Sequence, residues 1–146
     1  RRVLFRSIES NHPISIVTKV GSIMPLVNSA AGRVFASYLP EAVVKPLMDA
    51  EWTKAALNHY PIKPQTWDDF LVMKDKILHH GMAIAQGDLL VGINAVGLPI
   101  FNAQRAMEFC IVALDSEMFL PLHEGSEKLE LFKNEVAAIN QFIQTR

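Results

Sequence analysis

The sequence predicts an α+β domain, an antiparallel sheet with helices packed against it. Three observations carry this. Short β-rich runs stand at residues 14–20, 93–100 and 108–114, each of strand length. Two longer segments, 66–80 and 126–145, repeat their apolar residues at helical spacing. The order is strand, helices, strands, helix, not the regular strand–helix alternation that a parallel sheet needs.

Residues 8–13 read as a strand end and a turn, punctuated by Asn11, His12 and Pro13. In residues 14–20, Ile14, Ile16, Thr18 and Val20 share one face, with Ser15 and Lys19 on the other. The two segments together suggest a hairpin. Gly21 breaks the run, Pro25 turns the chain and Ser29 opens a helix whose apolar residues are Val34, Phe35, Tyr38 and Leu39.

Pro40 stops that helix and, with Glu41, begins the next. Val43, Val44, Leu47 and Met48 form its expected apolar face, and Pro46 inside it predicts a kink or split. Residues 51–64 read as a short helix or irregular connector ending in a Pro-rich loop.

Residues 66–80 are the clearest helix. Thr66 and Asp69 form a capping box, and Trp67, Phe70, Leu71, Lys74, Ile77 and Leu78 share a face. Gly81 caps the C-terminus. Then come a strand at 82–85, a turn at 87–92 and a buried strand at 93–100, weakened by Gly97 and Pro99. Residues 108–114 are the strongest strand. Ser126 opens the last helix, striped by Leu129, Phe132, Val136, Ile139 and Ile143.

At 146 residues the chain is long enough for one domain with a real core. Half the residues are hydrophobic and 20% are charged, a globular profile. The net charge of −1 excludes a domain that grips DNA on its own through a basic surface. The single cysteine excludes an internal disulfide and a cysteine zinc set, in keeping with a cytoplasmic location. No apolar run reaches membrane-spanning length.

The start of the helix at Ser29 is the best candidate binding feature. Ala30, Ala31 and Gly32 carry almost no side chain, so the unpaired N–H groups and the positive dipole end lie open to a carboxylate or another anion. The same residues also suit a plain capped helix that packs closely. His79 and His80 are adjacent and point to different helix faces. His12, His59 and His123 fall in predicted loops, so no metal set forms. No nucleophile elbow, zinc-protease motif or phosphate-binding glycine loop occurs, Ser29 has no marked base partner, and Cys110 reads as a small core residue.

Two blocks of residues resemble one family. Gly21, Pro25-Leu26, Ser29-Ala30, Gly32-Arg33 and Tyr38-Leu39-Pro40 are similar to the G-x-x-x-P-L-x-x-[ST]-A-x-G-[KR] motif of the effector-binding domain of IclR-type bacterial transcription regulators. His80-Gly81-Met82-Ala83, Asp88, Gly92-Ile93, Ala95-Val96 and Pro99-Ile100-Phe101 resemble a second family block, with Gly97 and Leu98 in place of two alanines. Thr66 also matches a family threonine. The resemblance spans about residues 8–146.

It implies a GAF-like or profilin-like sheet with helices on both faces, and no enzyme activity, cofactor or metal. The effector would lie between the sheet and the loop-plus-helix of residues 21–32. Gly21 would open that loop, Ile23, Met24 and Leu26 would wall the pocket, Ser29 would open the helix at the site, and the backbone amides of Ala30 and Ala31 would hold the effector's carboxylate. Ala85, Asp88, Ala95, Val112 and Leu114 would complete the site from the strands. The implied partners are a small organic acid, a second copy of the chain in a homodimer or homotetramer, and DNA through an N-terminal helix-turn-helix that this chain lacks.

The departures shape the expected ligand. Ala85 stands where some members have an acidic residue, and Val112 and Leu114 stand near two family serines; a one-residue gap would make these Ala113 and Asp115. An apolar lining implies a carboxylate with a greasy or aromatic body. Asp88 reads either as a solvated turn residue or as one that orients the pocket loop or meets a ligand hydroxyl. Asn94 points inward or to a helix. Two rival functions remain: an enzyme using Asp88 and a histidine, and an assembly domain with a vestigial pocket.

Residues 1–7, RRVLFRS, are similar to the translation of a common sequencing-adapter oligonucleotide. They are expected to be non-native, leaving 8–146 as the domain; a basic linker or strand start is the alternative reading.

Overall fold

The computed structural model describes residues 21–145. The hairpin expected over 8–20 and the segment 1–7 lie outside them. In chain order the elements are α1 (Ala30–Tyr38), α2 (Glu41–Leu57), α3 (Trp67–His80), β1 (Ala83–Gln86), β2 (Ile93–Phe101), β3 (Met107–Ser116) and α4 (Glu127–Gln144). Among the described residues three strands form one antiparallel sheet in the order β1-β2-β3, so the fold is α+β as expected.

Strand periodicity decides which face each helix covers. Val96, Leu98 and Ile100 alternate along β2 and pack with Leu120, Leu129 and Val136, which seats α4 on one face. The intervening residues point to the other face, where Ala83 of β1 meets Val34 of α1 and Ile77 of α3. A third cluster, Val27, Ala36, Val44, Met48 and Phe70, binds α1, α2 and α3 together.

The caps read from sequence are present. Ser29, Thr66 and Ser126 each accept a hydrogen bond from the backbone N–H three residues on, and Thr66 and Asp69 form the full capping box. Gly81 ends α3 in the left-handed conformation.

Helix α2 corrects two expectations. It neither splits at Pro46 nor ends near Glu51, but runs unbroken to Leu57. Pro46 removes one N–H bond, and both Pro46 and Ala42, whose carbonyl that bond would use, lie in exposed positions. Its buried residues are Val44, Met48 and Ala55, while Val43 and Leu47 are more than half exposed. Leu71 and Leu78 of α3 are likewise exposed, because only Phe70 and Ile77 are fully covered.

Gly97 and Pro99 do not interrupt β2. Proline cannot donate a ladder bond, and Asn140 of α4 supplies bonds at this point. Its Nδ2 donates to the Pro99 carbonyl at 3.0 Å and its Oδ1 accepts from Phe101 N at 2.9 Å, beside the irregularity between Ile100 and Phe101.

Candidate functional site

The loop before α1 is folded back onto the helix it feeds. Ser29 Oγ accepts from Gly32 N at 2.9 Å and donates to the Pro25 carbonyl at 2.6 Å. A β-carbon on Gly32 would lie 2.0 Å from that same carbonyl oxygen, so only glycine admits the close approach. From the other side, the Glu51 carboxylate accepts from Leu26 N at 2.8 Å and from Val27 N at 2.9 Å. With Ser29 committed to Gly32, the N–H groups of Ala30 and Ala31 find no acceptor among the described residues.

Beneath this helix start lies a cavity of about 70 Å³. Met24, Ser29, Ala30 and Ala31 form its helix side, and Leu89 and Leu90 reach over it from the β1–β2 connection. Its floor is the sheet. Ala85, Ala95 and Leu114 are direct register partners across all three strands, and Ile93 and Val112 flank them. Among the described residues Ser29 is the one polar side chain in the lining, and its hydroxyl is already donating and accepting. The remaining polar handles are the amides of the helix start, at the positive end of its dipole.

The structure therefore brings together Met24, Ser29, Ala30, Ala31, Ala85, Ala95, Val112 and Leu114 among the residues singled out from sequence. Four others do not line the cavity. Ile23 is 95% exposed, and Gly21 lies in an exposed turn with a positive φ. Leu26 packs against the cluster of Val27, Val44 and Phe70. Asp88 is paired with Arg33, Oδ2 to Nη1 at 2.9 Å, and also accepts from Gln86 N at 3.2 Å.

Ala113, the alternative reached by a one-residue gap, faces the α4 side and is no part of the cavity. Asn94 faces that side too, donating to the Leu120 carbonyl at 2.9 Å. Leu89, Leu90 and Ile93 line the cavity without having been singled out. Their signal was an apolar Leu-Leu-Val tip inside a turn bounded by two glycines, where polar residues are usual.

Cys110 lies at the edge of the cluster around Val34, and burial pushes its thiol up to about 12. Among the described residues no group of histidine, cysteine or carboxylate side chains could hold a metal, and no helix is long and apolar enough to cross a membrane.

The family model for the bacterial transcriptional regulator IclR C-terminal region matches residues 1–120. The chain belongs to the IclR family. Helix α4 lies beyond the matched residues, though Leu129 and Val136 complete the core on that face of the sheet.

Solved structures agree with the IclR assignment. The chain is similar to Pseudomonas aeruginosa HmgR at 26% identity and a TM-score of 0.76, over 91% of this chain and 51% of that one. It is similar to Thermotoga maritima IclR at 20% identity and a TM-score of 0.67, over 94% and 54%. A third likeness is to the inducer-binding domain of an Acinetobacter PobR double mutant, solved with 3-hydroxybenzoic acid. That match has 18% identity and a TM-score of 0.61, over 80% and 66%. The last two show the fold. The IclR-family chain thus spans about half the length of the HmgR and Thermotoga chains it matches. No curated protein matches it. The IclR family comprises transcription regulators, not enzymes, and its C-terminal region is a ligand-binding regulatory domain.

Proposed function

We propose that the cavity is the effector site of this IclR-family domain and that it takes a small organic acid. One observation carries the reading. Among the described residues, two amide donors at a helix start stand uncommitted beside a cavity whose side chains are apolar but for Ser29. That combination suits a carboxylate joined to an apolar body. The dipole alone favours the anion by roughly 0.3–2 kcal/mol, and direct N–H bonds add to this. The body would rest on Ala85, Ala95, Val112 and Leu114.

The cavity, about 70 Å³, is smaller than the roughly 150 Å³ apolar cavities that admit benzene. A short aliphatic acid is the ligand that fits without rearrangement. An aromatic acid, as seen with PobR, requires Leu89 and Leu90 to move outward. The effector would modulate DNA binding by a helix-turn-helix domain outside this chain. It does so only by binding one arrangement of the regulator better than another. The protein would act in the cytoplasm as a homodimer or homotetramer.

A thermal-shift series of aliphatic and aromatic monocarboxylates tests the site. A ligand at a hundredfold excess over its Kd adds about 2.7 kcal/mol of stability. The shift should vanish in Ala31→Pro, which removes one of the two donors. The small cavity also favours one rival, an assembly domain with a vestigial pocket. No shift with any carboxylate, in a chain that still self-associates, would establish that rival instead.

A further inference from the structure

Residues 87–92 join β1 to β2 and form a flap that places Leu89 and Leu90 on the cavity wall. Leu89 and Leu90 line the cavity from it, yet Leu90 is 46% exposed and Val91 97% exposed. Gly87 and Gly92 bound the flap, both at positive φ, where glycine turns without strain. Two backbone bonds close its base, Gly87 N to the Ile93 carbonyl at 2.9 Å and Ile93 N to the Leu90 carbonyl at 3.0 Å.

Within 88–91, Asp88 is the residue that ties the flap to another element among the described residues. Its Oδ2 accepts from Arg33 Nη1 at 2.9 Å and its carbonyl accepts from Asn28 Nδ2 at 3.2 Å. Arg33 is a rigid anchor. It is 2% exposed, and it also donates to the carbonyls of Val27 at 2.9 Å, Ile84 at 2.6 Å and Lys63 at 2.6 Å. The second tie is weaker, a neutral bond and the longer of the two.

We infer that the Asp88–Arg33 pair is the latch of this flap. Asp88 is a positioning residue: it contacts no part of the cavity, but it holds Leu89 and Leu90 across it. It therefore sets how fast a small apolar body enters and leaves. The strongest bond of the flap is a charge-assisted one to a buried guanidinium that four acceptors hold in place. The biological meaning rests on the effector reading above, but the latch can be tested without any effector.

The test uses the full chain, hydrogen exchange at single amides and xenon as an apolar probe of the cavity. Asp88→Asn should speed exchange at Gln86, Gly87 and Ile93, whose amides bond to the flap or close its base, by about tenfold or more. Amides in α4 and in the middle of β2 should keep their rates. Xenon should exchange about tenfold faster with its affinity little changed. Asn28→Ala, which cuts only the weaker tie, should speed the same three amides a few-fold at most; if Asp88→Asn does not fold, Asp88→Glu, which keeps the charge but shifts the carboxylate, should speed them more than Asn28→Ala does, and the reverse order would overturn the latch.

Unaltered exchange at these amides would overturn the latch. So would an equal loss of protection in α4 and β2, which would make Asp88 a general stability residue, or a cavity that xenon does not enter. A failed carboxylate screen beside a positive flap result would sink the effector reading and leave the latch standing.

Discussion

The carbonyl of Pro25 sits where a β-carbon of Gly32 would be, 2.0 Å from that position. Seven residues apart in sequence, the two backbones are in direct contact, and this contact folds the loop onto the helix start. Gly32→Ala must push the loop away, at a cost of about 1–3 kcal/mol. The expected result is a lower urea midpoint, with any carboxylate-induced thermal shift lost because the donors of Ala30 and Ala31 move with the loop.

Glu51 holds the same loop from α2 through two backbone donors. Glu51→Ala leaves the N–H groups of Leu26 and Val27 without their charged acceptor and should cost about 1.5–3 kcal/mol. Glu51→Gln keeps one acceptor atom and should cost less. Denaturant unfolding of the two variants, side by side, checks the order.

Ala95 lies at the centre of the cavity floor, paired with Ala85 on one side and Leu114 on the other. Ala95→Val fills empty space with methyl groups and introduces a residue favoured in strands. It should raise stability by about 0.5–2 kcal/mol. The same change should weaken small-acid binding more than tenfold. Calorimetric unfolding and ligand titration on one sample would reveal both effects.

Cys110 gives a pH signature. Burial raises its thiol to about 12, opposed only by a backbone hydrogen bond at Leu98, against 9.0 for the free group. Between these values the unfolded chain loses the proton and the folded chain keeps it. Stability should therefore be level below about pH 9 and fall above it, by about 1.4 kcal/mol per pH unit from this group. Cys110→Ala should flatten that slope in urea titrations run from pH 8 to 10.

The fold and much of the cavity were legible in the sequence because their signals are local. Ser29, Thr66 with Asp69, Gly81 and Ser126 announce helix ends through neighbours three or four residues away. The β-rich runs at 93–100 and 108–114 mark two of the strands, while the choice of Ala95, Val112 and Leu114 rests on the resemblance to the family motifs. The points left open or misread are those whose deciding contact is remote. The apolar stripe on α2 names Val43 and Leu47 as readily as Val44 and Met48, and only the docking of α1 and α3 selects between them. Asp88 and Arg33 stand 55 residues apart, and nothing near Asp88 signals a buried guanidinium. Ile23 is apolar, but the folded-back loop leaves it outside.

The floor of the cavity has a further meaning. Its emptiness comes from alanines facing one another on paired strands, not from a gap between separable parts. The chamber can then be resized one carbon at a time, by exchanges at Ala85, Ala95 or Val112 that leave every backbone bond in place. A descendant of this gene could change the size of this chamber without first losing its fold. Neutral drift at these three positions is a direct route to new chemical vocabularies for the regulator.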